Sequence, residues 1–515
     1  MQLLAVALPH HDANLAWFDG GVVRYAKLER LRQEKRFHLP TLPDWKQAAE
    51  EAWGPDAACA DDFVFSFDPA SLPPALRRWV PPEAMLQLAT GALEALPLAP
   101  TLCEYLGVPR GWLVSHHWLH ALSTWMLEPG PAPVRIVIDG VGDGRAWSVY
   151  RDDALAAVGP ITHGSIGWGM REAGKLLGIR YGHYNDIAGK LMGLQAYGRV
   201  DEAFLRRLAA FGMDALGELW SPRHWEAHCG DPLVARLKLL DWVATVHRRT
   251  GELLVDFFRQ HVKDGERVSY SGGVAQNVLW NARLAEAFPG LVVPPHASDE
   301  GLGLGGLEWL RRRHGLPAFD WPAFPFAQSD TEVEPASDRT IHQAAQVLAQ
   351  GRLVGWYQGA GEVGPRALGH RSILMDPRLP HGKALLNRVK QREPYRPFGA
   401  SVLAEHHDTY FEGAPDAFML KACRVRGAGF PAITHVDGSS RVQCVAPGGS
   451  FHALLTHFHA LTGCPVLAHT SLNLAGRPLA GFPDNAVQLF RESPLDALVV
   501  GDQLHLRSGA AARAG

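Results

Sequence analysis

The stretch Ser115–Ala121, SHHWLHA, and the stretch Val137–Gly144, VIDGVGDG, decide the fold and the chemistry predicted for this chain. The second stretch lies in a largely β-branched run, residues 134–138, which predicts a buried strand. That strand is expected to end at Asp139 in a glycine-rich turn. The pattern therefore places a carboxylate at the end of a buried strand.

The first stretch predicts a short helix. Ser115 is a suitable N-cap, and a helix that begins there places His116 and His120 one turn apart on the same face, with His117 pointing elsewhere. Two imidazoles and the Asp139 carboxylate form a partial metal site with room for further ligands. A histidine pair on an ordinary helix surface is the alternative, and the residues alone leave it open. No Glu lies between the two histidines, which excludes the metalloprotease helix.

The length and composition of the chain limit the classes of protein to which it can belong. The chain has 515 residues, so two to four domains are expected, and 47% hydrophobic and 20% charged residues are ordinary for a globular enzyme. A net charge of −3 provides no basic field for nucleic acid. The six cysteines are scattered without a C-x-x-C pair, and no apolar run approaches the length that spans a bilayer. These features predict a cytoplasmic enzyme that binds neither nucleic acid nor membrane.

A strand–loop–strand unit is repeated at low sequence identity. Its strands are predicted at 3–8, 15–18 and 22–26, and again at 134–138, 146–150 and 155–158. Each copy carries an aspartate, Asp12 or Asp139, in the loop between its first two strands. This duplication is the plan of the actin-like ATPase fold, so an α/β protein with a nucleotide cleft is expected. The charged segment Lys27–Phe37 is predicted to be a solvated helix or turn.

Two glycine-bearing segments are candidates for nucleotide binding. A strand predicted at 268–270 breaks into Gly272 and Gly273 before an amphipathic helix, an arrangement that offers backbone N–H groups to a phosphate. A plain tight turn is the alternative for this pair of glycines. The segment 185–198 places Lys190 among glycines near an expected helix start.

The segment His296–Gly306, HASDEGLGLGG, follows a strand predicted at 291–293 and opens a glycine-rich helix. Asp299 lies just before that helix and is a candidate for the carboxylate missing from the metal site. Close packing of a glycine-rich helix on a sheet would explain the glycines but not the aspartate.

A linker divides the chain. Residues 317–335 are rich in proline and lack periodicity. The domains are therefore expected at 1–320 and 339–515, with the linker at 321–338.

The C-terminal domain carries a candidate anion pocket. An arginine-rich loop at 359–372 is followed by cations at 390–396 that are interrupted by prolines. Cations on a bent loop suit an anion pocket better than a solvated helix, although an ordinary charged surface is the alternative. The segment 469–473, HTSLN, adds a Ser and an Asn after a strand predicted at 465–467.

Nine segments occur along the chain in one order: HDAN, HHWLHA, DGVGDG, GKLMGLQAYG, SGGVAQN, EVGPRALGHRSILMDPR, REPYRPF, HVDGSSRVQ and HTSLN. Together they resemble the O-carbamoyltransferases of antibiotic and nodulation-factor biosynthesis. The resemblance spans nearly the whole chain and is weak near 40–100 and 200–240. The segment GPRALGHRSILMDPR is its most specific part.

The resemblance implies an N-terminal duplicated actin-like domain, similar to the threonylcarbamoyl-transferring protein of tRNA modification. It implies a C-terminal α/β domain that resembles threonylcarbamoyl-AMP synthase. In the family, carbamoyl phosphate and ATP, with Mg, give carbamoyl-adenylate in the C-terminal domain. The N-terminal domain then transfers the carbamoyl group to a hydroxyl of a small natural-product or sugar-like acceptor. A homodimer is compatible with this expectation.

The resemblance also implies four sets of site residues. His11 is the catalytic residue beside the acceptor. The metal ligands are His116, His120, Asp139 and Asp299, with Fe(II) as the family metal and Mn(II) or Zn(II) as alternatives. The nucleotide-binding residues are Gly142, Lys190, Gly193, Gly272, Gly273 and Asn277. The carbamoyl phosphate pocket contains Arg366, Lys390, Arg392, Arg396, Ser471 and Asn473.

Four positions depart from the family pattern, namely Asn14, Arg36, His370 and His469. None of them removes a predicted ligand or pocket cation. Two other functions stay open: an actin-fold kinase or ATPase, and an RNA-modification protein of the threonylcarbamoyl type. The first leaves the C-terminal cations and the histidine pair unexplained, and the charge balance disfavours the second. For His11, capping of its own loop through Asp12 is the structural alternative.

Overall fold

The computed structural model of the protein describes residues 1–127, 132–161, 165–230, 236–328 and 333–507. The chain divides into two compact units. The first consists of Met1–Arg32, Arg36–Asn277 and Arg283–Phe324, and the second of Gln33–Lys35, Val278–Ala282 and Pro325–Gly515. Within the segment 321–338, predicted as a linker, Phe326–Gln328 form a strand, and residues 329–332 lie outside the described residues.

Six strands of the first unit hydrogen-bond in one sheet. They are β1 (Leu3–Leu8), β2 (Asn14–Phe18), β3 (Val23–Lys27), β4 (Asp62–Phe67), β5 (Ala95–Pro97) and β6 (Trp112–Val114). Their order is β3-β2-β1-β4-β6-β5, with β1 antiparallel to β2 and parallel to β4. Every residue of β1 is buried, as its unbroken apolar run predicts for a central strand. A buried cluster around Trp45, Phe63 and Phe65 forms the core that this sheet shares with its helices.

The second sheet of this unit repeats the same topology. Its strands are β7 (Val134–Gly142), β8 (Arg145–Arg151), β9 (Ala154–Pro160), β10 (Val268–Ser271) and β11 (Leu291–Val292). Their order is β9-β8-β7-β10-β11, with two antiparallel pairs followed by two parallel pairs. This order matches β3-β2-β1-β4-β6 strand for strand. The predicted duplication, and with it the actin-like α/β plan, is therefore confirmed.

The strand that carries Asp139 is longer than predicted. β7 continues through Asp139 to Gly142, and its pairing with β8 is irregular between Ile138 and Gly142. A bulge of this kind redirects side chains locally. Asp139 therefore projects from an irregular strand and not from a turn that follows one.

The helices of the first part of the chain surround these sheets. They are α1 (Leu28–Arg32), α2 (Trp45–Trp53), α3 (Pro74–Arg77), α4 (Pro82–Thr90), α5 (Pro100–Leu106), α6 (His116–Leu122), α7 (Ile166–Leu176), α8 (Asp186–Leu194), α9 (Glu202–Arg207), α10 (Leu216–Leu219), α11 (Arg223–Cys229), α12 (Arg236–His261), α13 (Val278–Ala287) and α14 (Leu302–Arg313). α6 begins as predicted, because the backbone N–H of Trp118 donates a hydrogen bond to Ser115 Oγ. None of the described helices is long and apolar enough to cross a lipid bilayer.

The charged segment Lys27–Phe37 is not the solvated element that its composition suggests. Lys27, Glu29 and Arg30 are only 2%, 7% and 1% exposed. Burial is tolerated because the charges pair with carboxylates distant in sequence, such as Glu300, whose Oε1 lies 2.5 Å from Lys27 Nζ. The prediction of a surface charge run was wrong at these positions.

The second unit is a separate α/β structure. Its strands are β12 (Phe326–Gln328), β13 (Val354–Tyr357), β14 (Gly361–Glu362), β15 (Arg371–Met375), β16 (Gly399–Leu403), β17 (Phe411–Glu412), β18 (Ala422–Val425), β19 (Ser439–Val445), β20 (Val466–Ser471), β21 (Ala497–Val500) and β22 (Gln503–Leu506). Its helices are α15 (Asp338–Ala349), α16 (Gly382–Lys390), α17 (His407–Tyr410), α18 (Gly449–Thr462) and α19 (Pro483–Glu492).

Nine of these strands form one mixed sheet in the order β17-β18-β19-β16-β20-β15-β13-β21-β22. β12 pairs separately with β14. The buried core of the unit includes Trp356, Phe398 and Phe458. β20 runs to Ser471, so His469 lies inside the strand and Leu472 and Asn473 lie beyond it, whereas the sequence predicted that the strand ends at residue 467.

Candidate functional site

Four side chains predicted as metal ligands meet in the first unit. His116 and His120 project from α6, Asp139 from β7, and Asp299 from the turn before α14. Their ligand atoms all lie within 4.8 Å of one another. The two Nε2 atoms are 3.1 Å apart, and Asp299 Oδ1 lies 3.5 Å from His116 Nε2 and 3.4 Å from His120 Nε2. These residues form a group of the kind that can hold a metal ion.

Because this group is largely buried, the charge of each side chain strongly affects the pKa values of the others. His120 is fully buried, so the two histidines are not the ordinary surface pair that the sequence left open. Although burial lowers the pKa of the His116 imidazole, the Asp299 carboxylate and the hydrogen bond to Asp139 raise it well above its ordinary value. Burial raises the pKa of Asp299, but the His116 imidazole outweighs this effect and holds it well below the usual range. The site thus favours ionised carboxylates.

The chemistry of the donor set fits a divalent ion. Two imidazole nitrogens only 3.1 Å apart cannot both present lone pairs to one another without a cation or proton between them. Two further carboxylates face the same point, and a mixed nitrogen and oxygen set suits Fe(II), Mn(II) or Zn(II). Four protein ligands converge there, as in the sequence-based prediction.

Close backbone approaches bring the ligands together. A Cβ atom at Gly142 would lie 2.5 Å from His116 Cδ2, and one at Gly305 would lie 2.0 Å from the carbonyl oxygen of Leu119 in α6. Glycines at these two positions let β7 and α14 approach α6. A Cβ at Gly306 would also lie 2.8 Å from a side chain of β1, so α14 packs closely on the sheet as the alternative explanation of the glycines stated. Asp299, just before this helix, lies among the four candidate ligands.

Asn14, one of the departures from the family pattern, fixes the backbone beside Asp299. Its buried amide donates hydrogen bonds to the carbonyl oxygens of Asp12 and Asp299, each over 2.9 Å. The backbone N–H of Gly303 donates to Asn14 Oδ1 over 3.0 Å. The substitution therefore keeps a structural link between the His11 loop and the start of α14.

His11 lies beside the ligand group. Its Nδ1 is 2.9 Å from Asp12 Oδ2, and its Nε2 faces Asp299 Oδ2 at 3.8 Å. Burial lowers the pKa of His11, but the hydrogen bond to Asp12 and the Asp299 carboxylate raise it above the ordinary value. The contact with Asp12 that the structural alternative required is present, and it also orients Nε2 toward the ligand group.

A buried ion network lies behind Asp12, and sequence reasoning missed it. Arg36 Nη1 contacts Asp12 Oδ2 at 2.5 Å, and Lys27 Nζ lies 3.4 Å from Asp12 Oδ1. Lys27 also contacts Glu29 Oε1 at 2.9 Å. Although burial lowers the pKa of Lys27, Glu29 and Glu300 raise it above its ordinary value. Only the charges of the segment Lys27–Phe37 signalled this network, and composition assigned them to the surface.

The predicted nucleotide glycines are arranged differently from the expectation. The N–H of Gly272 donates to the carbonyl oxygen of Ala297 over 2.7 Å, and the N–H of Gly273 donates to Asp139 Oδ1 over 2.6 Å. The residues 273–276 form a 3-10 turn, and α13 begins only at Val278. The two N–H groups thus donate to a backbone carbonyl and to the candidate metal ligand Asp139. They are not presented to a phosphate in the way that the sequence predicted.

The other predicted nucleotide residues lie on separate elements. Asn277 Nδ2 lies 3.0 Å from His247 Nε2. Lys190 and Gly193 are buried in α8, where Lys190 is the fifth residue and donates to the carbonyl oxygen of Arg180. Lys190 therefore does not lie at a helix start. The role of this set in nucleotide binding stays a prediction.

In the second unit, Lys390 joins the two polar residues of the HTSLN segment. Its Nζ donates to Ser471 Oγ over 3.1 Å and to Asn473 Oδ1 over 2.5 Å. Burial and the nearby guanidinium groups of Arg392 and Arg396 hold the pKa of Lys390 well below its ordinary value. Residues far apart in sequence are thus brought to one place, as predicted.

Arg441 is a member of this cation cluster that sequence reasoning did not select. It lies in β19, opposite Gly399 of β16. Burial and three neighbouring guanidinium groups hold the pKa of Arg441 well below its ordinary value. Those groups belong to Arg366, Arg392 and Arg396. The motif HVDGSSRVQ contained the signal, because an arginine there interrupts an otherwise uncharged strand.

Arg392 shows how the cluster is held. Its guanidinium carbon lies 3.9 Å from the ring centroid of Phe398, and its Nη2 donates to the carbonyl oxygen of Pro397 over 2.9 Å. Burial and Arg396 lower its pKa to about 9. Such crowding of like charges is costly unless an anion binds among them.

The departures His370 and His469 are both packed in the second unit. His370 stacks on Phe326 with ring centroids 3.7 Å apart. His469 lies between two hydroxyl groups, with Ser372 Oγ 2.7 Å from Nε2 and Ser401 Oγ 2.6 Å from Nδ1. Burial lowers the pKa of His469 to about 3, so it is a neutral hydrogen-bonding residue of the sheet.

Comparison of the sequence with known proteins gives one family match and several relatives. A family profile described as "Carbamoyltransferase C-terminus" matches residues 345–507. The chain is 30% identical to the nodulation protein NolNO of Sinorhizobium fredii over 96% of this chain and 78% of that protein. It is 35% identical to the 3'-hydroxymethylcephem-O-carbamoyltransferase of Amycolatopsis lactamdurans over 52% of this chain and 54% of that enzyme.

Two solved structures align weakly with the chain. Component A of the (R)-2-hydroxyglutaryl-CoA dehydratase of Acidaminococcus fermentans aligns with a TM-score of 0.36 and 13% identity, over 61% of this chain and 99% of that chain. HypF of T. kodakarensis aligns with a TM-score of 0.34 and 15% identity, over 60% and 48% of the two chains. The fold assignment therefore rests on the strand order of this chain itself.

Proposed function

Because this chain belongs to the carbamoyltransferase family, we propose that it is an ATP-dependent O-carbamoyltransferase that works in two steps. In the first, carbamoyl phosphate and water give carbamate and phosphate, and the carbamate oxygen attacks the α-phosphorus of ATP. Carbamoyl-adenylate forms and pyrophosphate leaves. In the second, an acceptor hydroxyl attacks the carbamoyl carbon, AMP leaves, and the hydroxyl proton passes to a base.

The first step is assigned to the cation cluster of the second unit. Carbamoyl phosphate is a small dianion, and guanidinium groups bind phosphate oxygens in a bidentate fork. The cations of this cluster include Arg441, Arg392 and Lys390. Burial and the neighbouring positive charges lower the pKa of each of them. An anion there would relieve their mutual repulsion. This cluster is the observation that carries the proposal.

The second step is assigned to the first unit. His11 is the base, with Nδ1 fixed by Asp12 and Nε2 directed toward the ligand group. His116, His120, Asp139 and Asp299 would hold a divalent ion, which supplies Lewis-acid stabilisation of negative charge on the leaving phosphate. Fe(II) is the metal proposed from the family, with Mn(II) and Zn(II) as the alternatives.

An actin-fold kinase or ATPase is the second candidate function, because the duplicated sheet plan of the first unit also serves that chemistry. It assigns no role to the Arg441 cluster. A kinase also needs no carbamoyl phosphate and would release ADP, so the two candidates differ in their products.

The proposal is tested by incubating the full-length protein with ATP, Mg²⁺, carbamoyl phosphate and a panel of hydroxylated metabolites. The expected product is an acceptor whose mass has increased by one carbamoyl group, formed together with AMP. A phosphorylated acceptor formed with ADP would support the kinase instead. Omission of carbamoyl phosphate is the control, and it should abolish the product.

A further inference from the structure

Exposed aromatic side chains are concentrated in one part of the first unit. Among the strongly exposed aromatic residues of the described chain, four lie between positions 168 and 197: Trp168, Tyr181, Tyr184 and Tyr197. Trp168 is 55% exposed and Tyr184 is 42% exposed. Large aromatic surface left in water is a common feature of binding sites, because the rings gain contact area there at little conformational cost.

Arg171 lies between two of these rings. Its guanidinium carbon is 5.0 Å from the ring centroid of Trp168 and 5.9 Å from that of Tyr184. Within the described ranges, no carboxylate forms an ion pair with Arg171, and its Nε atom is buried without a hydrogen-bond partner. The two nearest acids in sequence are engaged elsewhere, since Glu172 pairs with Lys175 and Asp186 with Arg36.

This aromatic and cationic surface continues to the proposed base. The rings of Tyr184 and His183 lie 4.1 Å apart, and each of them contacts His11, at 6.1 Å and 5.6 Å between centroids. Through these contacts Arg171 is separated from the proposed base by one side chain, Tyr184, and Trp168 is separated from it by two.

A cavity is lined in part by Trp168. Its volume is about 770 Å³, and its lining includes Gly169, Glu172, Trp220 and Arg223. Cavities of a few hundred to a thousand Å³ accommodate small-molecule ligands. The cavity gives the body of an acceptor room beyond the aromatic surface.

We propose that Trp168, Arg171 and Tyr184 bind the acceptor, and that the acceptor is a ring compound carrying a carboxylate. This inference rests on the proposed function, which supplies the premise that the bound molecule carries the hydroxyl that reacts. The rings of Trp168 and Tyr184 stack on the acceptor ring, and the guanidinium of Arg171 binds its carboxylate. A cationic acceptor is disfavoured, because no neighbouring carboxylate neutralises Arg171.

Direct binding to the full-length protein tests the inference with two matched probes. 4-(Hydroxymethyl)benzoate and 4-(hydroxymethyl)benzamide share the ring and the hydroxyl and differ in charge. Calorimetric titration should give tighter binding of the benzoate by at least about tenfold, as expected for a charge-assisted pair. Arg171→Gln should remove this preference. Trp168→Ala should lower the affinity for both probes by the same factor, because it removes stacking without removing charge.

Arg259→Gln is the control, since it removes one positive charge from the exposed surface of α12, at a residue that pairs with Asp256 and does not line the cavity. It should keep the preference, and thermal unfolding should show that all three variants are folded. Undetectable binding of the benzoate, equal affinities for both probes, or an unchanged preference in Arg171→Gln would overturn the inference. Because the titration uses neither ATP nor carbamoyl phosphate, failure of the proposed two-step reaction would be seen separately, as a lack of AMP formation.

Discussion

At the scale of single residues, His11 is distinguished by the different partners of its two ring nitrogens. Asp12 contacts Nδ1 at 2.9 Å, which leaves Nε2 facing the ligand group at 3.8 Å from Asp299. A carboxylate on one nitrogen fixes the tautomer and the orientation of the other, which is the arrangement of a general base. The neighbouring His10 lacks this arrangement, because it is exposed and pairs with Asp68.

His11→Asn should separate the two steps. We expect the variant to release pyrophosphate from ATP and carbamoyl phosphate as the native protein does. Its transfer of the carbamoyl group to an acceptor should fall by about 10²- to 10⁴-fold, which is the usual contribution of a general base. Both rates are measured in one assay by chromatography of nucleotides and products. His10→Asn is the control and should change neither rate, whereas equal loss of both steps in His11→Asn would show that His11 is structural.

His469 makes the stability of the protein depend on pH. Its folded-state pKa of about 3 lies below the ordinary value of 6.5, because burial opposes the charged form. The unfolded chain therefore binds a proton between these two values while the folded chain does not. The contribution of His469 is complete above pH 6.5 and is lost as the pH falls toward 3.

The free energy of unfolding should consequently fall with decreasing pH more steeply in the native protein than in His469→Asn, by about 1.4 kcal/mol per pH unit. Urea unfolding curves recorded between pH 6 and pH 4 measure both slopes. Since all other titrating groups are common to the two proteins, parallel slopes would contradict the neutral, buried state of His469.

At the scale of elements, the ligand group depends on how closely β7 approaches α6. Gly142 permits this approach, because a Cβ there would lie 2.5 Å from His116 Cδ2. In the same strand, a Cβ at Gly140 would meet nothing within 4 Å. The two glycines therefore differ in the room available for a side chain, whereas the backbone angles of both are ones that other residues adopt.

Gly142→Ala should therefore displace the His116 ring and weaken metal binding by about 10- to 100-fold, as do changes to groups that orient ligands. The metal retained after dialysis against a graded series of chelator concentrations measures this effect. Gly140→Ala should bind metal as the native protein does. Equal affinity in the two variants would show that His116 does not act as a ligand.

Local patterns predicted much of the fold. The β-branched run before Asp139, the N-cap Ser115 and the repeated strand order all follow from short-range periodicity, and the structure confirms them. Patterns of this kind did not show the extension of β7 to Gly142, because a bulge depends on the partner strand. They also did not show that the N–H of Gly273 is used by Asp139, since that contact joins residues more than a hundred positions apart.

Charged residues were the hardest to place from sequence. Lys27 is buried because Glu300 and Asp12 approach it from other elements, and nothing within its own segment indicates this. Arg441 was overlooked because a single arginine in a strand is usually an edge or surface residue. Its proximity to Arg392 arises only when β19 and the loop before β16 are brought together.

At the scale of the whole molecule, two different kinds of ionisable cluster lie in different units. The first unit gathers histidines and carboxylates around Asp299, and the second gathers cations around Arg441. A carboxylate and imidazole group suits a metal ion, whereas a guanidinium cluster suits a phosphate. The two units are therefore suited to two different reactions, and the proposed two-step transfer requires both of these reactions.

The proposed two-step reaction is tested most directly by the products that the full-length protein forms from ATP with and without carbamoyl phosphate. Pyrophosphate should form only when carbamoyl phosphate is present, together with carbamoyl-adenylate, and AMP should appear when a hydroxyl acceptor is added. In Arg441→Gln the rate of pyrophosphate release should fall by roughly 10²-fold with the metal content unchanged, since one proposed charge-assisted phosphate contact is lost. Arg424→Gln, which removes an exposed cation from the neighbouring strand β18, should leave the rate unaltered. Formation of ADP, or of pyrophosphate or AMP without any need for carbamoyl phosphate, would contradict the proposed reaction.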